Sequence, residues 1–309
     1  MMNCRSTIFR RLSVGIVFGV GSVLLGFPGV DQTYANPAES VSVRNNRLFV
    51  QVTMDGVDFE ALLDSGAEMT FFDRGFASRV GVLPLDSGET KAQGSGAEEV
   101  AVQFAQGITL ESVGISIKDM TVAIIDLSDV TERLIGHRVD LVLGRDLFDS
   151  ARLWLDIEAG QIQTVERTGS PAGVRLDLET QHGIETFPVS VEGHPPVRAE
   201  FDLGNGTDVL IGAAYAERIG LTDEGRVIDR EMGGGIGGAV EREIVLLRQL
   251  DVAGVSFYNV RAAIDPTENA ADVNLGVSIL RNFVITTDFA ERVVWLSPRS
   301  GSPAEQDND

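Results

Sequence analysis

The chain has 309 residues, 43% hydrophobic and 23% charged, enough apolar material to bury a large core as one domain or two. Its net charge is −21, from 25 Lys and Arg against 46 Asp and Glu. That balance argues against a nucleic-acid partner, because phosphate recognition needs clustered Arg and Lys; the acidity serves solubility.

Residues 1–35 read as a secretory signal peptide. Arg5, Arg10 and Arg11 precede an apolar stretch over 12–30, and Thr33-Tyr34-Ala35 places small residues where a signal peptidase cuts. The stretch is also long enough to span a bilayer, so an uncleaved anchor is the alternative. Its Gly and Pro content and the Thr-x-Ala site favour removal, which leaves no stable membrane span and a periplasmic or secreted protein. The single cysteine, Cys4, leaves with the leader, so the mature chain has neither a disulfide nor a thiol nucleophile.

From residue 41 the chain is a series of short apolar runs broken by Gly, Asp and Asn, such as 48–52, 59–63, 100–104, 120–125 and 153–157. Alternation at Phe49, Gln51 and Thr53 is a strand signal. Short helices are expected only at 76–80 and 213–219. A turn-rich linker at 167–173 separates a first lobe, 41–166, from a second, 174–297, and a polar, acidic tail at 298–309 reads as disordered.

The two lobes repeat one another. FVQVTMDGVDFEALLDSGAE from Phe49 and FPVSVEGHPPVRAEFDLGNG from Phe187 run without a gap to an Asp-x-Gly corner, Asp64-Ser65-Gly66 and Asp202-Leu203-Gly204. Further on, Gly94-Ser95-Gly96 matches the glycine-rich run 233–238, and Leu143-Gly144 matches Leu275-Gly276. Asp156 and Asp288 recur at the offset of the Gly144–Gly276 pair and are expected at the surface or in turns. A period this long marks duplicated domains rather than a solenoid. Two carboxylates at equivalent places in two similar halves can meet on a pseudo-two-fold axis and share one proton, an arrangement that activates water.

On these residues each half resembles one subunit of a retropepsin-like aspartic protease. The matching features are the strand ending Leu62-Leu63-Asp64-Ser65-Gly66-Ala67, the glycine-rich hairpin near Gly94, and the element Val142-Leu143-Gly144. Two such halves in one chain are similar in plan to pepsin. The resemblance covers most of 41–297 and implies a mostly β, two-lobed acid-protease fold. Each lobe is then a closed β-barrel with a flap hairpin and a short helix, and the chain is a monomer that forms its pseudo-dimer internally.

The same resemblance implies an aspartic endopeptidase acting on a peptide or protein substrate, without cofactor or metal. Asp64 and Asp202 would be its catalytic dyad; aspartic proteases are the standing example of two carboxyls whose pKa values split on contact. Ser65, Gly66, Ala67, Gly204 and Asn205 would support the dyad. Gly94, Ser95 and Gly96, with Gly234, Gly235 and Ile236, would form substrate-binding flaps. Ser65 would brace its corner to the partner loop, but Leu203 stands where the second corner should repeat the hydroxyl. Half of the brace is then missing, and the side-chain amide of Asn205 is the candidate substitute, bonded to Asp202.

Two rivals follow. One is a catalytically weak or inactive protein that binds peptides on the same fold, and Leu203 is its argument. The other pairs two chains through their first halves. His137, His182 and His194 are isolated, without metal-ligand spacing.

Overall fold

The computed structural model describes residues 35–85 and 88–299. Residues 1–34 of the segment expected as a signal peptide and residues 300–309 of the segment expected as a tail lie outside the described residues. Among the described residues no helix is long and apolar enough to cross a membrane. The chain is built mainly of short strands in three sheets, and its longest helices have six residues.

In each half the strand that leads to the Asp corner is central. Val57–Leu63 lies between Arg47–Met54, antiparallel, and Leu141–Leu143, parallel. Val197–Phe201 lies between Ile184–Val191, antiparallel, and Val273–Leu275, parallel. Strands covered on both faces read as continuous apolar runs rather than alternating ones, hence Leu62-Leu63 and Leu141-Val142-Leu143.

Each eight-stranded sheet closes on itself. Thr53 pairs with Glu111 in the first, and Val189 to Val191 pair with Val252 to Leu250 in the second. After closure only the outermost strands, Ser42–Arg44 and Thr90–Gln93 in the first sheet and Glu179–Gln181 and Val227–Gly235 in the second, stay at an edge. The helix Arg74–Arg79 is capped by Asp73, whose carboxylate accepts from the Phe76 amide at 3.0 Å, and Ala213–Arg218 is its counterpart.

The third sheet was not apparent from the sequence. It has six strands, three from each half. Leu153–Asp156 pairs antiparallel with Phe283–Asp288, and the outer strands are Gln161–Thr164 and Glu39–Ser40 on one side, Val293–Pro298 and Val174–Asp177 on the other. The last strand therefore runs one residue into the segment expected as tail.

This sheet joins the lobes below the corners. A buried core runs through both halves, and Phe148 of the first stacks on Phe289 of the second at 5.0 Å. Asp288 corrects the expectation of a surface or turn residue: it is 0% exposed. Arg152 donates to it at 3.1 Å, and Arg167 donates twice, at 2.9 and 3.0 Å. These paired cations hold its carboxyl below the ordinary range despite its burial.

Candidate active site

The two corners match bond for bond. The Asp64 amide donates to Leu143 O at 3.1 Å, and the Asp202 amide to Leu275 O at 3.1 Å. Asp64 Oδ1 accepts from the amides of Gly66 at 2.8 Å and Ala67 at 3.1 Å. Asp202 Oδ1 accepts from those of Gly204 at 2.9 Å and Asn205 at 3.1 Å. Each carboxylate is thus aimed by its own backbone.

At that axis the corners interlock. A Cβ added at Gly66 would sit 2.7 Å from Asp202 Oδ1, and one at Gly204 would collide with the Asp64 carboxyl. Glycine is required at both places because each lets the opposite acid approach. The two carboxyls come within hydrogen-bond reach of each other. Burial first, then the charge of Asp202, raises the Asp64 pKa to about 7. Burial likewise raises Asp202, opposed by donation from Asn274, Asn205 and Gly204. Such a pair cannot readily carry two negative charges, so loss of its second proton is disfavoured.

Gly144 and Gly276 lie under the corners. A Cβ at either would strike the backbone of the loop above, at Met69 O and Asn205 O respectively. Arg145 N donates to Ala67 O and Val277 N to Asn205 O, both at 2.9 Å, which ties each loop to the residue after its glycine.

The brace is one-sided, as Leu203 implied. Ser65 Oγ donates to Phe201 O at 2.8 Å and accepts from the Leu203 amide at 2.9 Å. Leu203 returns no such bond; it is 0% exposed and packs in the common core. The side chain of Asn205 does not bond Asp202. Its amide donates to Asp208 O and Asn274 Oδ1, and its oxygen accepts from Thr207. The bond to Asp202 Oδ2 comes instead from Asn274 Nδ2, at 2.8 Å, and the same nitrogen donates to Glu200 Oε2 at 2.8 Å.

Asn274 and Glu200 escaped the sequence reading. Their signal is a polar residue in each of two short strands, at the places where the first half has Val142 and Leu62. Arg47 also escaped it. This cation is only 6% exposed, lies within Coulomb reach of both aspartates, and donates to Asn45 O and Leu134 O at 3.2 Å.

Two hairpins cover the axis and meet tip to tip. Thr90–Gln93 pairs with Glu99–Ser112, and Val227–Gly235 with Gly238–Val252. Gly96 N donates to Ile236 O and Glu98 N to Gly237 O, both at 2.8 Å. Side chains at Gly94, Gly96 or Gly235 would run into the opposite tip, at Ile236, Gly237 and Ser95 respectively. Gly234 takes a φ of +97°. Arg133, on the π-helical turn Thr131–Ile135, donates to Gly233 O and Gly235 O at 2.9 Å each. Ile236 seats on the apolar cluster of the first lobe that contains Leu62 and Val142.

Two barrels that each bring an Asp-x-Gly corner to a common axis beneath paired flaps make up a two-lobed acid-protease fold. The chain belongs to the aspartyl protease family, whose model matches residues 50–147 and 187–279, once in each half. Among solved structures it is similar to basic 7S globulin from soybean, with a TM-score of 0.50 and 7% identity over 84% of this chain and 94% of that one. At that identity the likeness speaks for the fold alone. No curated relative matches the chain in sequence.

Proposed function

We propose that this protein is an aspartic endopeptidase whose dyad is Asp64 and Asp202. The observation that carries the reading is the pair of carboxyls within hydrogen-bond reach at the junction of the lobes, with burial raising both pKa values. A water held between them gives its proton to the ionised carboxylate as its oxygen attacks the peptide carbonyl carbon. The protonated carboxyl donates to the carbonyl oxygen, forming a neutral tetrahedral diol. The carboxyl that took the water's proton then gives it to the amide nitrogen while a hydroxyl of the diol returns its proton to the other carboxylate; the C–N bond breaks, an amine and a carboxylic acid leave, and the dyad again holds one proton.

Both acids come from one chain, which supports a monomeric enzyme with an internal pseudo-dimer over a pair of chains. The flaps, joined by backbone hydrogen bonds at glycines, support an extended peptide as the substrate, held strand-like between flap and dyad. The leader-like first 35 residues support action in the periplasm or outside the cell.

The test is incubation of the protein and its Asp64→Asn variant with a mixed peptide pool at mildly acidic pH, read by mass spectrometry. The expected outcome is cleavage by the unmodified chain and none by the variant at unchanged thermal stability. Equal cleavage by both removes the mechanism. The second reading, a peptide receptor without turnover, draws on Leu203 and the one-sided brace. It is favoured if peptides bind in the cleft and survive prolonged incubation.

A further inference from the structure

The two walls beside the dyad are built on the same plan from opposite chemistry. In the first lobe Leu62 and Val142 are register partners on neighbouring parallel strands; in the second the corresponding partners are Glu200 and Asn274. Leu62 and Glu200 each stand two residues before the aspartate, so they leave the chain on the aspartate's side. For Glu200 the bonds demonstrate this directly, since the Asn274 amide reaches both its carboxylate and that of Asp202.

Glu200 faces a cavity of about 540 Å³ between the second lobe and the first flap, where Gly94, Ser95 and Gly96 form part of the lining. It is 9% exposed and has no cationic partner among the described residues. Asp265, also on the lining, is already neutralised by Arg242 at 2.5 Å and accepts from Thr267. Glu268 lines the exposed mouth, and neither Lys nor Arg lines the cavity. The apolar side chains of Ile184, Leu210 and Val240 supply walls.

An isolated carboxylate at this depth is costly, and burial, opposed by Asn274, raises its pKa to about 7. A cation brought by a ligand would relieve that cost. Lys and Arg are the side chains that suit such a chamber, with a methylene stem for the apolar walls and a charged head for the acid.

We propose that this cavity is a substrate subsite for a Lys or Arg side chain next to the scissile bond, with Glu200 as its counter-charge. The inference rests on the peptidase reading for its orientation relative to the cut. The substrate then carries a basic residue on one side of the cleaved bond.

The experiment uses peptides identical except for Lys, Arg, Gln, Leu or Glu at one central position. Cleavage is measured with the unmodified chain, and binding with Asp64→Asn by fluorescence anisotropy. Lys and Arg peptides are expected to be preferred at least tenfold over Gln and Leu in both assays. Glu200→Gln, which keeps an acceptor for Asn274, should erase that preference. The double change Glu200→Leu with Asn274→Val copies the pair around which the first lobe already folds, and it should shift binding toward the Leu peptide. Equal handling of all five peptides, or a basic preference that survives Glu200→Gln, overturns the subsite. Selective binding without any cleavage would remove the peptidase reading and leave the subsite standing; cleavage without selectivity would do the reverse.

Discussion

Ser65 and Leu203 occupy equivalent places and do opposite things. The serine hydroxyl satisfies Phe201 O and the Leu203 amide across the axis, while the leucine fills core volume. Ser65→Ala strands two buried backbone groups at about 1–3 kcal/mol each, and chemical denaturation should report a loss of that order. Leu203→Ser should not repair the brace, because it removes a fully buried apolar side chain at a cost of about 2–4 kcal/mol. A Leu203→Ser protein more stable than the original would show that the missing hydroxyl is a defect that the core has not absorbed. The corners themselves were legible in the sequence because their requirement is local: an acid followed two residues later by a glycine that admits its mate. Asn274, Glu200 and Arg47 were not, because a polar residue inside a short strand reads as its solvent face until the opposing lobe is in place.

The flaps are where the elements of the two halves hold each other. Arg133 stands on a short π-helical turn of the first lobe and donates to two carbonyls of the second flap, whose tip isoleucine seats on first-lobe apolar side chains. Arg133→Ala removes two charge-assisted bonds, so closure weakens by about 1–3 kcal/mol. Hydrogen exchange at residues 233–238 should accelerate and KM for peptides should rise by roughly tenfold or more, with kcat little changed because the dyad is untouched. Unchanged exchange in that segment would mean that Arg133 does not latch the flap. The glycine run announced a hairpin in the sequence, but its latch could not be read there, since Arg133 lies 100 and 102 residues from the carbonyls it holds. The six-stranded sheet was hidden for the same reason: its strands are short and its central pairing joins Leu153 to Thr287 across the two halves.

At the scale of the whole molecule, buried acids set opposing pH limits on stability. Asp64 and Glu200 have folded pKa values of about 7 against ordinary values of 3.8 and 4.5. A carboxyl raised on folding contributes stability that is complete below its ordinary pKa and lost as pH rises through 7. Asp288 works the other way, because its pKa is lowered from 3.8 by Arg167 and Arg152; its contribution is present above that value and lost as pH falls through the lowered one. Calorimetry should therefore find the highest Tm at about pH 4, with a decline as pH rises from about 4.5 to about 7 that Glu200→Gln makes shallower. A Tm that rises steadily toward pH 8 would contradict the burial of these groups. Asp288 also marks a limit of sequence reading: its partners lie 136 and 121 residues away, and a lone Asp near a strand end reads as surface without them.

Both halves must contribute an acid if one chain makes one site. The direct measurement is peptide turnover by the unmodified protein and by Asp202→Asn at mildly acidic pH, with the mass of each species determined in solution. The account predicts a monomer whose turnover falls by about 10² to 10⁴-fold or more when the second acid is lost. Undiminished turnover by Asp202→Asn, or activity found only in a dimer that needs Asp64 from each chain, would contradict it.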